Sequence, residues 1–388
     1  MDTNEGDGRA TNPLYASPHK LKLGTFATNV SGAGAISTAE GLFETTWPNV
    51  RELARMADEG GLEAIVPVAR WRGFGGASDF NASCYETFTW AAGVGAQTRR
   101  PSVFSTCHVP TIHPIVAAKQ ATTIDHITDG RFTLNVVCGW YQHEMEMFGA
   151  PVKEHEVRYD YAEEWIEVVK LLWAGEDDFG YDGRFFTIKS GFSHPKPIQR
   201  PFPPIMQAGG SPRGVDFAAK HADVAFVHVD RDLDAGAEQV RKLRALAREK
   251  YGRELQVWNI STGVIDETDE AAQAYFRYYV EEKGDQVAAH NLTGQLGLNS
   301  QTFPPEVFAS ITSDFIAGWG GYQVIGSPDT VADRMSVLPE LGIDGTLLVF
   351  ARFRDDLRRF IDHVIPRLEA KGLREPVDVP VAGALVGP

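Results

Sequence analysis

In this chain of 388 residues a few polar side chains interrupt otherwise apolar runs, and those interruptions are where chemistry is to be sought. The stretch Arg131–Gly149, RFTLNVVCGWYQHEMEMFG, opens as a buried-strand run, Phe132–Val137, in which Thr133 and Asn135 are the only polar members. It breaks at Cys138–Gly139 and carries Trp140, His143 and Glu144 onto a loop. An amide near the end of an apolar strand, then a glycine turn and large polar and aromatic groups, is the pattern of a ligand site on the C-terminal rim of a β/α barrel. A core strand stopped by glycine has the same pattern. Another run ends in Thr106-Cys107-His108. A histidine there suits an acid or base at neutral pH, and equally a hydrogen-bonded structural role. Arg70 and Arg72 bracket Trp71, a pair suited to an anionic cofactor ring or to a surface loop. In Ala208-Gly209-Gly210-Ser211 the glycines admit an anion to the backbone N–H groups of a helix start, and the serine adds a donor. Arg158-Tyr159, at the start of a different helix, can supply a charge-assisted partner to the same anion. An ordinary capped turn and a surface arginine read the same way.

Eight strand-like runs position these groups: Leu21–Ala27, Glu63–Val68, Ser102–Cys107, Phe132–Val137, Pro204–Ala208, Asp223–His228, Leu255–Ile265 and Gly345–Phe350. Segments of helical periodicity lie between them, at Trp47–Ala57, Glu156–Trp173, Asp234–Ala247 and Ser327–Leu338. Strands that are apolar throughout, alternating with helices, imply a parallel sheet covered on both faces. A closed eight-stranded (β/α) barrel fits the count, with residues 20–372 as one domain. A doubly wound open sheet is the alternative, but no GxGxxG turn follows the first strand. Residues 266–326 are too long for a simple crossover and too aromatic for a disordered linker, with Phe303, Phe308, Phe315, Trp319 and Tyr322. This insertion is expected to fold over the barrel mouth. Residues 1–19 and 373–388 read as loose tails.

Composition excludes several classes. A formal charge of -15, from 37 Lys and Arg against 52 Asp and Glu, argues against nucleic acid and anionic membrane surfaces. No apolar run is long enough to span a bilayer, and the start lacks an apolar signal core, so a cytoplasmic location is expected. Cys84, Cys107 and Cys138 lack metal or disulfide spacing and read as buried thiols. There is no His-x-His, GxSxG, Walker loop or HExxH, and no metal is expected. What remains is a barrel binding a phosphate-bearing, largely planar cofactor.

At this point the chain resembles the bacterial-luciferase-like group of flavin-dependent monooxygenases. The resemblance covers most of residues 20–372 and is carried by HPIVAAKQATTIDHITDGRFTLNVVCGW (His113–Trp140), Glu156–Tyr161, HPKPIQRPFPPIMQAGGS (His194–Ser211) and IGSPDTVADRM (Ile325–Met335). The loop RGFGG with Thr106 and Asn135 is similar to the pyrimidine ring-opening branch. TNVSGAG, ATTIDH and NVV-x-GW are similar to the dimethylsulfone branch. The resemblance implies a luciferase-like TIM barrel with its insertion between strands seven and eight. It also implies FMN in reduced form, O2 as cosubstrate, and a separate NAD(P)H:flavin reductase. A homodimer or homotetramer is implied as well. By the same likeness, Ala69 and Arg70 lie near the isoalloxazine and Asn135 and Glu144 beside it. Arg158, Tyr159, Gly210 and Ser211 lie toward the phosphate. Thr106 and Asn135 flank the oxygen site at flavin nitrogen-5, where a flavin peroxide attacks a sulfone or nitrogen heterocycle and a C–S or C–N bond is cleaved. His108, which the two branches do not share, is expected to face the substrate, with Trp71 and Trp140 as apolar wall. Two other readings stay open: a deazaflavin-dependent oxidoreductase of the same fold, and a non-catalytic flavin-binding protein.

Overall fold

The structure, a computed structural model, describes residues 9–149, 154–229, 232–298 and 303–376. Its strands are β1 (Lys22–Phe26), β2 (Ala64–Val66), β3 (Ser102–His108), β4 (Phe132–Val137), β5 (Phe179–Asp182), β6 (Thr187–Gly191), β7 (Ile205–Gln207), β8 (Val224–Phe226), β9 (Gln256–Ile265), β10 (Tyr322–Gly326) and β11 (Gly345–Phe350). Leaving out β5, β6 and β10, the rest pair in parallel in chain order. The Lys22–Gly345 to Thr25–Leu348 register then closes β11 onto β1. The eight apolar runs are the eight barrel strands, because strands buried on both faces have no reason to alternate.

Two glycines open the barrel interior. A Cβ on Gly345 would lie 2.4 Å from Trp258, and one on Gly24 would lie 2.8 Å from both Ala64 and Leu347. Trp258 fills the space so made, packed with Phe104, Met206 and Leu347. Leu14 joins this interior cluster. Its short helix, Pro13–Ala16, is capped by the Asn12 side chain, which also donates to Gln199 Oε1 at 3.0 Å. Residues 9–19 are therefore not a loose tail but part of the fold. Their polar composition concealed one apolar side chain and a buried amide. Arg374, placed in the other tail, is likewise buried on Glu63 at 2.9 Å, while residues 1–8 and 377–388 lie outside the described residues.

The helices present one apolar face to this barrel. Trp47–Glu59 buries Val50, Leu53, Ala54 and Ala57 behind a Thr46 cap, and His155–Ala174 buries Trp165, Val169 and Leu172. The hairpin β5–β6 is antiparallel and extends outside the barrel. The insertion builds helices Asp269–Arg277, Gln286–Gln295 and Pro305–Gly318, then β10. On β9, β8 pairs only as far as Trp258, and β10 takes up pairing from Ser261 to Ile265. Strand pairing thus ties the insertion to the barrel. Asp285 accepts from Ser78 N at 2.7 Å and Asn291 donates to Phe74 O at 2.7 Å, which fastens the loop after β2 to the insertion. Among the described residues no helix is long and apolar enough to cross a membrane.

Candidate active site

Each barrel strand contributes one side chain to the floor of a cavity of about 460 Å³ at the C-terminal rim. Six of these are apolar, running from Phe26 on β1 round to Leu347 on β11. The other two are Thr106 and Asn135, which face each other in register on β3 and β4. Their orientation follows from proton counting. The Thr106 hydroxyl donates its one hydrogen to Pro67 O at 2.5 Å, so its oxygen can only accept. It accepts from Asn135 Nδ2 at 3.1 Å, which fixes the amide and leaves Asn135 Oδ1 buried without a partner. A buried acceptor left open in an apolar floor is costly unless a ligand donor meets it.

Arg70 forms one wall. Its Nη1 donates to Glu144 Oε2 at 2.9 Å, and its guanidinium lies 5.1 Å from the Phe74 ring centre, 5.2 Å from Trp140 and 5.6 Å from Tyr141. Glu144 is not beside the cavity, as the resemblance implied, but fully buried one layer behind it. There its other oxygen accepts from Trp71 N at 2.6 Å and Arg72 N at 3.3 Å. The residue shapes the site by holding Arg70 and the loop. Trp71 also departs from expectation: it is 44% exposed, stands edge-on to Phe148 and does not line this cavity. Trp140 does line it, as do Ala69 and His108.

His108 ends β3 with its ring buried, and Nδ1 lies 3.5 Å from Glu144 Oε2. Burial first, and the Arg70 charge second, push its pKa down to about 3, so the ring is neutral at pH 7. It is therefore a poor proton store there. A folded pKa below the unfolded value means that the unfolded chain binds the extra proton between about pH 6.5 and 3. Stability is present above that window and falls as pH drops through it. We expect His108→Asn to lose less stability than the parent between pH 7 and 5.5, by about 1 kcal/mol in urea titrations.

The far end of the cavity is built for an anion. Ser211 caps helix Pro212–His221, its Oγ accepting from Gly214 N at 3.1 Å, with the Tyr159 hydroxyl in hydrogen-bond reach of the same side chain. A Cβ on Gly209 would lie 3.0 Å from the Tyr159 hydroxyl, and one on Gly214 would lie 2.5 Å from it; a Cβ on Gly210 meets nothing within 4 Å. Two glycines are thus required for packing and one faces open space. Arg158 spends Nη1 on Gly139 O at 2.8 Å while its buried Nε has no partner. Burial raises the Cys138 thiol beside it to about 12, so it brings no negative charge. Arg213 is committed elsewhere, to Asp160 at 3.2 Å and Glu163 at 3.1 Å. Arg158, Tyr159, Gly210 and Ser211, from two helix starts far apart in the sequence, all line this cavity.

Sequence reading passed over Gln207, buried on the cavity wall with Oε1 unpaired. A polar residue ending an apolar strand was the available signal, the same that marked Asn135. From the insertion come Leu296, Phe315 and Trp319. Among the described residues no cluster of His, Cys, Asp or Glu forms a metal site.

Comparison with known proteins gives concordant results. The sequence model of the luciferase-like monooxygenases matches residues 21–345. Pyrimidine monooxygenase RutA of Bradyrhizobium sp. is 31% identical over 364 residues, covering 91% of this chain and 99% of the relative. An FMNH2-dependent dimethylsulfone monooxygenase of Pseudomonas putida is 29% identical over 354 residues, covering 89% and 94%. The structure of riboflavin lyase RcaE with modified FMN and riboflavin superposes with a TM-score of 0.81 at 22% identity, over 91% of this chain and 92% of that one, a likeness of fold.

Proposed function

The chain belongs to the luciferase-like monooxygenase family and is a flavin-dependent monooxygenase, and from that premise we propose that it takes reduced FMN from a separate NAD(P)H:flavin reductase and uses O2 to cleave a C–S or C–N bond of a small sulfone or nitrogen heterocycle. The observation that carries this reading is the polar pair Thr106 and Asn135 in an otherwise apolar floor, with the anion cradle at the other end of one cavity. The residues fit the cofactor. Asn135 Oδ1 is an unpaired acceptor suited to a ring N–H, and Gln207 Oε1 to a ribityl hydroxyl. Arg158, the Ser211 hydroxyl and the helix start suit a phosphate.

Bound reduced FMN supplies the two electrons with which one atom of O2 enters the product and the other leaves as water. The chain's own part is placement. Thr106 fixes the Asn135 amide, and together they present polar atoms at one point of an apolar floor. Arg70, held by Glu144 and three aromatic rings, offers a fixed positive charge where negative charge gathers. Phe315 and Trp319 close the mouth against water.

The cradle has its own test. Arg158→Ala should weaken FMN binding by about 10- to 100-fold, the cost of a charged hydrogen bond, and leave riboflavin binding unchanged. Equal loss for both ligands, read by fluorescence titration, would remove Arg158 from the phosphate site. The function itself is tested by mixing the enzyme with photoreduced FMN and aerated buffer, with uracil and dimethylsulfone as candidate substrates. The expected outcome is faster FMNH2 oxidation coupled to a cleaved product. Binding of a reduced deazaflavin in place of FMNH2, or of oxidised FMN without turnover, would replace this reading by a dehydrogenase or a flavin carrier.

A further inference from the structure

A second chamber, of about 270 Å³, lies at the rim between the loop after β2, the end of β3 and helix Pro114–Ile127. Ala69, Arg70, Thr106 and His108 line both it and the flavin cavity, and so form the partition between them. Three of the four are held. Arg70 is clamped by Glu144, Thr106 is bonded to Pro67 O, and Ala69 has no freedom beyond its backbone. His108 makes no hydrogen bond through either ring nitrogen among the described residues, although its side chain is only 3% exposed. It is the member whose side chain no hydrogen bond holds in place.

The chamber also contains an unpaired amide. Gln120 Oε1 is buried without a partner, and its amide nitrogen has none among the described residues. The two charges in the wall are occupied: Arg70 on Glu144, and Glu86 capping a helix by accepting from Phe88 N at 2.9 Å and Thr89 N at 2.8 Å. A charged ligand finds no free counter-charge there, whereas a donor–acceptor edge matches a primary amide. At the outer end Trp71 and Phe148 stand edge to face with ring centres 5.1 Å apart, both exposed, forming an apolar corner in which each ring offers a face for stacking.

We propose that this chamber is a second small-molecule site, in which the oxidisable substrate docks while the cofactor is in place and from which it passes to the flavin when His108 turns. It takes a small, flat, uncharged molecule with an amide-like donor–acceptor edge, held by Gln120. The proposal rests on the flavin monooxygenase reading above, because the chamber matters only if cofactor fills the main cavity.

The test uses the full chain saturated with FMN, and uracil as the probe, by saturation-transfer NMR and calorimetry. Wild type is expected to bind uracil without displacing FMN. Gln120→Leu should weaken uracil at least tenfold, and the chamber-filling Thr111→Trp should abolish it. Both variants should keep the FMN dissociation constant within twofold of wild type, which also reports that they fold. Uracil that fails to bind the FMN-saturated wild type, or binds both variants as it binds wild type, overturns the proposal. O2-dependent oxidation of FMNH2 without substrate separates the two failures. If it is normal, only the chamber proposal is lost; if wild type neither binds nor oxidises FMNH2, the functional reading fails and the chamber proposal with it.

Discussion

Asn135→Ala is expected to lower coupled product formation by about 10²- to 10³-fold, the cost of deleting one preorganised polar group at a reacting centre. FMN binding should weaken by no more than about tenfold, the loss of one hydrogen bond to the ring N–H, because the cradle at Arg158 and Ser211 lies at the other end of the cavity. Stability should also change little. The amide has one satisfied end, on Thr106, and one buried oxygen without a partner, so its removal deletes a hydrogen bond and an unpaired acceptor together. Flavin oxidation should continue but release hydrogen peroxide instead of product. Thr106→Val should act in the same direction by a different route. With no hydroxyl to accept from Nδ2, the Asn135 amide loses the contact that fixes its rotation. If both variants keep wild-type coupling, the polar pair is only a satisfied gap in the floor.

Glu144→Gln should cost about 3–5 kcal/mol in urea unfolding, the penalty for leaving a buried charge without its partner. The geometry gives the reason. Arg70 is buried among aromatic rings, and Glu144 is its only ion pair among the described residues as well as the acceptor for Trp71 N and Arg72 N. The double variant Glu144→Gln with Arg70→Met should regain most of that stability, since no charge is then stranded, yet stay inactive. A double variant no more stable than the single one would show that the loop contacts, and not the ion pair, carry the cost. The single variant should also lose activity with normal FMN binding at the phosphate end.

The barrel was legible because parallel strands covered on both faces leave continuous apolar runs, and all eight appear as barrel strands. Asn135 was legible for the complementary reason, being polar where the run demands apolar, whereas Thr106 shares its run with Ser102 and Ser105 and was marked by the family resemblance. What the sequence concealed was depth. Glu144 follows Trp140 by four residues, in the short helix Gln142–Met147 instead of the expected loop, and nothing in residue type says that one lines the cavity and the other lies a layer behind. Trp71, expected at the flavin cavity, instead meets Phe148 at the outer end of the smaller chamber. At the N-terminus, one buried Leu14 and one buried Asn12 are too little periodicity to mark a segment that packs into the barrel interior. The hairpin β5–β6 was hidden because its strands, FGYD and TIKSG, carry few apolar residues.

Thr106 and Asn135 are expected to direct O2 and reduced FMN toward the substrate. The most direct measurement is a single-turnover reaction of photoreduced FMN, 18O2 and substrate on wild type and Asn135→Ala, read by mass spectrometry of the product and by hydrogen peroxide assay. One 18O atom per cleaved product is expected in wild type, and peroxide with almost no labelled product in the variant. Labelled product at the same yield from both proteins would contradict it.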